Sequence, residues 1–387
     1  MVILHELLKV CKKTNLQKTS TKFNGLYKVV VFFFILLSAY SSSIAQYVSL
    51  SDVEITKLIF LVKNDKKVNK QFQNFQKLAD SNLLSNPNPI EVISSAGRLQ
   101  GDPVKTATVA SVKDFKIMYA LAISYRVTSN SKYIIKATEY FLSWASTNHP
   151  SGSPIDDTNL DVLIEAFDLL KNNLKATDKL TIQTWLEKTA IAETSNLKML
   201  SAFETGKNNW NSHRLKVVGE IAYSIDNEKL QQWTIEKLKD QIAVNLMPDG
   251  SSLDFALRDA VHYHVYDLEP LVRLSILLKR ATSVDYFRYL SENNSSIKKS
   301  VDWLIPFVNN EKTHQEFVNS TVKFDKARSN NKEAGHNIGQ AFLPAKAIKL
   351  LSLCTYFNYP FDITPLLSDS KPNSSVDWQL TLSSLMK

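Results

Sequence analysis

The chain has 387 residues, of which 44% are hydrophobic, so it can bury a sizeable core and is not expected to be disordered. Its formal charge is +8, but the first 45 residues carry six lysines and one glutamate. Without them, 40 basic and 37 acidic residues remain, a net charge of about +3. This balance gives no support to a nucleic-acid partner, and attraction for an anion would need a local patch.

The N-terminus has the pattern of a secretory signal peptide, which we expect to comprise residues 1–45. A lysine-rich stretch precedes an apolar run from Val29 to Tyr40, and the small residues Ser43 and Ala45 follow it. The run is short for a membrane-spanning helix, although a retained anchor is the alternative. We therefore predict cleavage after Ala45, a periplasmic or secreted protein, and no stable membrane insertion once the signal is removed.

The remainder, residues 46–387, is predicted to be a single all-α domain. Nine glycines and twelve prolines are too few for a β-sandwich or barrel. Apolar residues recur at three- and four-residue spacing in six segments: Lys116–Val127, Lys132–Ser146, Asp161–Leu170, Leu180–Ala192, His213–Ser224 and Leu230–Leu246. Short polar breaks between them favour antiparallel helix pairs, which can stack as a solenoid or form an α/α toroid.

The C-terminal part is less regular. Glu311 to Gly335 is a long polar stretch, and a loop of that length in a compact domain is often functional. A helix is predicted from Ile338 to Leu353, and Asp369 to Asp377 is predicted to be an exposed tail.

Two segments concentrate polar side chains that could carry chemistry. The first, NNWNSHR, places Asn209 and His213 four residues apart, on one face of a helix, with Arg214 beside them. These donors suit an anion. The alternative is structural: Asn208 or Asn209 caps the helix, His213 is a buried hydrogen-bonded group, Trp210 belongs to the core and Arg214 is a surface charge.

The second segment, HYHVYD, contains His262, Tyr263, His264 and Tyr266. Tyrosine and histidine transfer protons when their pKa values are tuned, although the aromatic rings could also be core. His262 and His264 point to different sides of a helix and no HExxH motif accompanies them, so the pattern does not favour a metal site. No cofactor is expected.

NNWNSHR, a DGS turn some forty residues later, and HYHVYDLEPL together resemble the alginate lyase family and its glucuronan-cleaving relatives. The resemblance implies an incomplete α/α toroid. It also implies that an Asn and a His neutralise the uronate carboxylate, that the Tyr of His-Tyr-His acts on the sugar, and that an Arg assists. These roles fall on Asn209 and Tyr263. The chain departs from the pattern at Trp210, where the family has His, so His213 is the expected imidazole. Arg258 is the nearest guanidinium to the family position at Ala256.

The predicted function is cleavage of an anionic polysaccharide, a uronic-acid polymer, by β-elimination, with Tyr263 as base and acid. Side chains expected to contact substrate are those near the two motifs: Asn208, Trp210, Arg214, His262, His264 and Tyr266. Two alternatives remain. One is a glycoside hydrolase that uses carboxylates such as Asp254, Asp259 or Glu269. The other is a non-catalytic polysaccharide-binding protein.

Overall fold

The computed structural model describes residues 45–197, 202–368 and 374–387, so the predicted signal peptide lies outside the described residues except for Ala45. Seventeen α-helices form within this part of the chain, numbered here in order. The first eight are α1 (Asp52–Asn64), α2 (Lys66–Ser81), α3 (Pro103–Ser111), α4 (Lys113–Thr128), α5 (Ser131–Thr147), α6 (Pro154–Asp157), α7 (Asp161–Leu170) and α8 (Ala176–Ser195).

The C-terminal part of the chain is also helical. Its elements are α9 (Asn209–Ser224), α10 (Glu228–Asn245), α11 (Leu253–Arg258), α12 (Val261–Thr282), α13 (Ile297–Val308), α14 (Lys323–Asn330), α15 (Ile348–Cys354), α16 (Thr364–Ser368) and α17 (Ser374–Leu385). None of the helices in the described ranges combines the length and the apolar character needed to cross a bilayer.

All six predicted helices are present, and their ends are set by local capping. The residue after α4, Ser129, adopts a left-handed conformation with φ 58°, which ends the helix. The next residue, Asn130, accepts a hydrogen bond from the backbone N–H of Lys132 at 3.2 Å and so starts α5. The two helices pack against each other as an antiparallel pair across this short turn.

Two C-terminal expectations were wrong in part. The helix predicted from Ile338 begins only at Ile348, because a turn of 3₁₀-helix at Pro344–Ala347 precedes it. The predicted exposed tail overlaps α17, in which Val376 and Trp378 are buried. Residues 369–373 lie outside the described part.

The buried helices follow one another in space. Each of α4, α7, α9, α12 and α15 packs against the next, and α15 packs against α17. Helix α17 then returns to α2, which itself packs on α4; Thr381 of α17 donates to the side chain of Gln71 at 2.9 Å. Periodicity left a solenoid and a toroid open. A solenoid would keep its two ends apart, so the packing of α17 on α2 indicates the toroid.

Helices α9 and α12, which carry the two motifs, lie side by side at the centre of the fold. Every residue of α9 except Trp210 is buried. Gly219 allows the close packing, since a Cβ at this position would lie 2.6 Å from Leu274 Cδ1 of α12. The first residues of both helices, among them Asn209 and Tyr263, line the same cavity, so their N-terminal ends lie on the same side of the fold.

Candidate active site

A cavity of about 660 Å³ lies beside the N-terminal ends of α9 and α12. Its volume is typical of ligand-binding sites. Its walls also include loop residues 95–98, Glu204 and Thr205. The polar stretch and the residue after it contribute Thr321, Val322, Phe324, Arg328 and His336. Seven of the side chains singled out from the sequence line it: Asn208, Asn209, Trp210, Arg258, His262, Tyr263 and Tyr266.

Tyr263 lies between two arginines. Its hydroxyl accepts a hydrogen bond from Arg328 Nη1 at 3.1 Å, and the guanidinium carbon of Arg258 lies 3.8 Å from its ring centroid. Burial raises the pKa of Tyr263, and both arginines act in the opposite direction by stabilising the phenolate. The position therefore combines an ionisable phenol with fixed positive charge.

Most of the charged residues that line the cavity are basic. Arg98, Lys105, Arg258 and Arg328 contribute positive charge, whereas Glu204 is the only carboxylate among the described lining residues. Two of the cations are themselves held in place: Arg258 is paired with the buried Asp325, and Arg328 Nε lies 2.8 Å from Glu333. Such a lining favours an anionic ligand, although the chain as a whole carries little net charge.

Asn209 is fixed from behind by a buried carboxylate. The backbone N–H of Asn209 donates to Asp254 Oδ2 at 2.7 Å, and its side-chain amide donates to Asp254 Oδ1. Asn245 donates to the same carboxylate at 3.3 Å. Burial raises the pKa of Asp254 to about 6, opposed by these donors and by Arg258. One N–H of the Asn209 amide is used by Asp254, which leaves the second for a ligand.

The helix that carries Tyr263 is capped from a distant part of the chain. The Ala260 side chain cannot cap α12, and the carboxylate of Glu316 instead accepts from the N–H groups of Val261 at 2.8 Å and His262 at 3.1 Å. This contact anchors the polar stretch beside the N-terminus of α12. Glu316 is 1% exposed, and burial raises its pKa from 4.5 to about 7 against these two bonds.

Replacing Glu316 by Gln should reduce the pH dependence of stability. A carboxyl whose folded pKa is raised stabilises the fold fully below its unfolded pKa, and this contribution is lost as pH rises through the folded pKa. The shift of the Glu316 pKa from 4.5 to about 7 corresponds to a contribution of about 3 kcal/mol to the unfolding free energy. We expect the unfolding free energy of the wild type, from urea titrations, to fall more between pH 4.5 and 8 than that of Glu316→Gln. The exposed Glu292→Gln variant is the control, and equal slopes for all three proteins would contradict this role.

Three of the predicted site residues do not line the cavity. His264 is fully buried, with its ring nitrogens 2.9 Å from Ser252 Oγ and from the Ser300 carbonyl oxygen. Arg214 is buried beside Glu193, with Nε 3.8 Å from its carboxylate, so it is not a surface charge either. These two side chains join parts of the fold, and the structure gives them no position from which to touch a ligand in this cavity.

His213, the expected imidazole donor, is also displaced from the cavity. Its Nδ1 lies 2.9 Å from Thr158 Oγ1, and its ring packs against Tyr266 at a centroid distance of 4.5 Å. Burial and the nearby Lys216 lower its pKa well below the ordinary value, so it is neutral. It supports Tyr266, which does line the cavity, from one helical turn further along α9.

Sequence reasoning missed Arg328 and His336, which both line the cavity. His336 lies 5.4 Å from His262 between ring centroids. Burial and neighbouring cations lower the pKa of His262 to about 3 and that of His336 to about 4, so both rings are neutral near pH 7. The available signal was the length and polarity of the stretch from Glu311 to Gly335, immediately before His336.

The carboxylates of the hydrolase alternative are not placed as a catalytic pair. Asp254 is buried behind Asn209, Asp259 accepts from the backbone and side-chain N–H groups of Asn319, and Glu269 is paired with Lys349. None of the three lines the cavity. A glycoside hydrolase needs two carboxyl groups facing the scissile bond, and the described cavity lining has one. The described residues also hold no group of three or more His, Cys, Asp or Glu side chains that could bind a metal.

Known structures show the same fold. An alginate lyase from Bacteroides ovatus superimposes with a TM-score of 0.63 at 15% identity, over 85% of this chain and 97% of that one. Alginate lyase A1-III from Sphingomonas species A1 superimposes with a TM-score of 0.52 at 18% identity, over 69% of this chain and 80% of that one. A tyrosine-to-phenylalanine variant of A1-III complexed with tetrasaccharide has a TM-score of 0.54 at 18% identity, over 70% of this chain and 80% of that one. The predicted α/α toroid is thus confirmed.

Sequence comparison identifies the family. No curated protein sequence matches the chain. The sequence profile of the alginate lyase family, however, matches residues 62–314, which is well over half of the chain and includes both motifs. The chain therefore belongs to the alginate lyase family.

Proposed function

We propose that this polysaccharide lyase cleaves a uronic-acid polymer by β-elimination, with alginate or its polymannuronate blocks as the first substrate and glucuronan as the second. The observation that carries the proposal is Tyr263, whose hydroxyl is bonded to Arg328 in a cationic cavity. The tetrasaccharide complex of the related A1-III supports a saccharide ligand. We further propose that the protein is exported, with residues 1–45 as signal peptide.

The chemistry requires charge stabilisation before proton transfer. Removing the proton at C5 of a uronate places a second negative charge next to the carboxylate, so donors must hold the developing enolate. Asn209 supplies an amide N–H, and Arg258 and Arg328 supply guanidinium groups at the same cavity. Tyr263, as phenolate, removes the C5 proton, and the resulting phenol returns a proton to the O4 that leaves. The C4–O4 bond breaks as the C4–C5 double bond forms.

The imidazole role is assigned to cavity residues rather than to His213. His262 and His336 line the cavity and are neutral near pH 7, so each offers one N–H to the substrate carboxylate without adding a charge. His213 instead supports Tyr266. Trp210, at the position where the family has histidine, offers its ring face for a sugar.

The test is a screen of purified protein against alginate, polymannuronate, polyguluronate and glucuronan. Elimination creates a conjugated C4–C5 double bond, so ultraviolet absorbance should rise together with new reducing ends on at least one polymer. New reducing ends without absorbance would indicate hydrolysis. Binding to a polymer without either signal would indicate the non-catalytic alternative.

A further inference from the structure

Glu333 is a buried carboxylate that joins two walls of the cavity. It is 3% exposed and follows α14 in the polar stretch. One carboxylate oxygen accepts from Arg328 Nε at 2.8 Å, and the other accepts from the backbone N–H of Gln100 at 2.6 Å. Asn331 reinforces the link, since its amide donates to the Gln100 carbonyl oxygen at 3.0 Å and to Glu333 at 3.2 Å.

Arg328 transmits this contact to Tyr263. A guanidinium is a planar, rigid fork, so fixing its Nε also fixes the direction of its other N–H groups. Glu333 holds Nε, and Nη1 donates to the Tyr263 hydroxyl at 3.1 Å. Arg328 has a long side chain, and its bond to Glu333 offsets the conformational entropy that the side chain loses on holding this one orientation.

We propose that Glu333 is a positioning residue, which holds Arg328 against the hydroxyl of Tyr263 and couples that contact to the loop at Gln100. The proposal rests on the proposed function of Tyr263. Glu333 itself does not line the cavity and acts through Arg328.

Glu333 is charged throughout the working pH range. Burial opposes its ionisation, but the Gln100 N–H, Arg328 and Asn331 outweigh burial and lower its pKa to about 2. The groups that face Tyr263 from neighbouring elements are Arg258 with its partner Asp325, Arg328, and the rings of His262, Tyr266 and His336. Among these, Arg328 donates to the phenol oxygen, so its orientation has a direct effect on the pKa of Tyr263.

The experiment compares Glu333→Gln with wild type and with Asn331→Ala. The Gln variant keeps the shape but loses a charge-assisted hydrogen bond, so kcat should fall about ten- to hundredfold with KM nearly unchanged. The midpoint of the rise of kcat with pH should move to higher pH, because a loosened Arg328 stabilises the phenolate less. Asn331→Ala breaks the bonds of Asn331 to Gln100 and Glu333 but leaves the Glu333–Arg328 pair, and it should retain the wild-type midpoint. A midpoint in Glu333→Gln that is unchanged or moves to lower pH would overturn the proposal.

A double variant separates positioning from general destabilisation. If Glu333 acts through Arg328, Glu333→Gln should have no further effect on kcat in an Arg328→Ala background, whereas an additive loss would contradict this route. This outcome differs from failure of the proposed function, in which the wild type would cleave none of the polymers by elimination.

If the wild type is inactive, the pKa of Tyr263 can still be measured from its phenolate absorbance, taken as the difference from Tyr263→Phe. We expect this pKa to be higher in Glu333→Gln than in the wild type. A titration that is the same with Glu333 and with Gln would overturn the proposal.

Discussion

Replacing Tyr263 by Phe should lower kcat about a thousandfold while changing KM by less than about threefold. Phe keeps the ring that packs against Arg258, but it removes the hydroxyl that accepts a hydrogen bond from Arg328. In the proposed mechanism this hydroxyl exchanges protons with C5 and O4 of the substrate. Proton transfer by a positioned side chain contributes about 10²–10⁴-fold to rate. A thousandfold loss corresponds to about 4 kcal/mol of transition-state stabilisation. Initial rates of absorbance increase on the best polymer give both constants.

The matched control is Tyr223→Phe. Tyr223 has nearly the same exposure as Tyr263, but it packs against Tyr47 and does not line the cavity. Its loss of a hydroxyl should leave kcat within about twofold of wild type, because no proton transfer depends on it. Comparable kcat values for the two variants would remove Tyr263 from the mechanism, and a loss confined to KM would make it a binding residue.

The sequence was sufficient to predict six of the helices in the described ranges and the cavity residues at the start of α12. Apolar spacing located Asp161–Leu170 with the bounds that the structure has. Helical geometry also predicted that His262 and His264 face different sides: His262 lines the cavity and His264 is fully buried. These predictions succeed because they depend on residues within a few turns of each other.

The rest of the site depends on contacts between distant segments. Arg328 and Glu333 lie in a stretch without apolar periodicity, and their position is fixed by Glu316 at the N-terminus of α12 and by Gln100. No local pattern encodes such a return of the chain. The prediction for His213 followed from its spacing to Asn209. The two residues do share a helix face, but that face continues beyond the cavity wall, and there His213 contacts Thr158.

Asn209→Ala should lower kcat about a hundredfold or more, the second-largest expected effect. Its amide is held by Asp254 at the cavity wall. In the proposed mechanism the second N–H of this amide stabilises charge on the substrate carboxylate. Removing one donor of this kind costs about 10²–10³-fold in kcat, because a prearranged donor acts most strongly on charge that develops in the transition state. The change also takes a partner from the buried Asp254, so stability must be measured alongside rate.

Asn245→Ala separates these two consequences. Asn245 donates to the same carboxylate, Asp254, but is fully buried and does not line the cavity. Both variants should lower the unfolding free energy by about 1–3 kcal/mol, since each removes a donor from a buried carboxylate. Only Asn209→Ala should also have a kcat about a hundredfold below that of the wild type. Equal losses of kcat in the two variants would mean that Asn209 serves the site by supporting Asp254 and not by contacting the uronate.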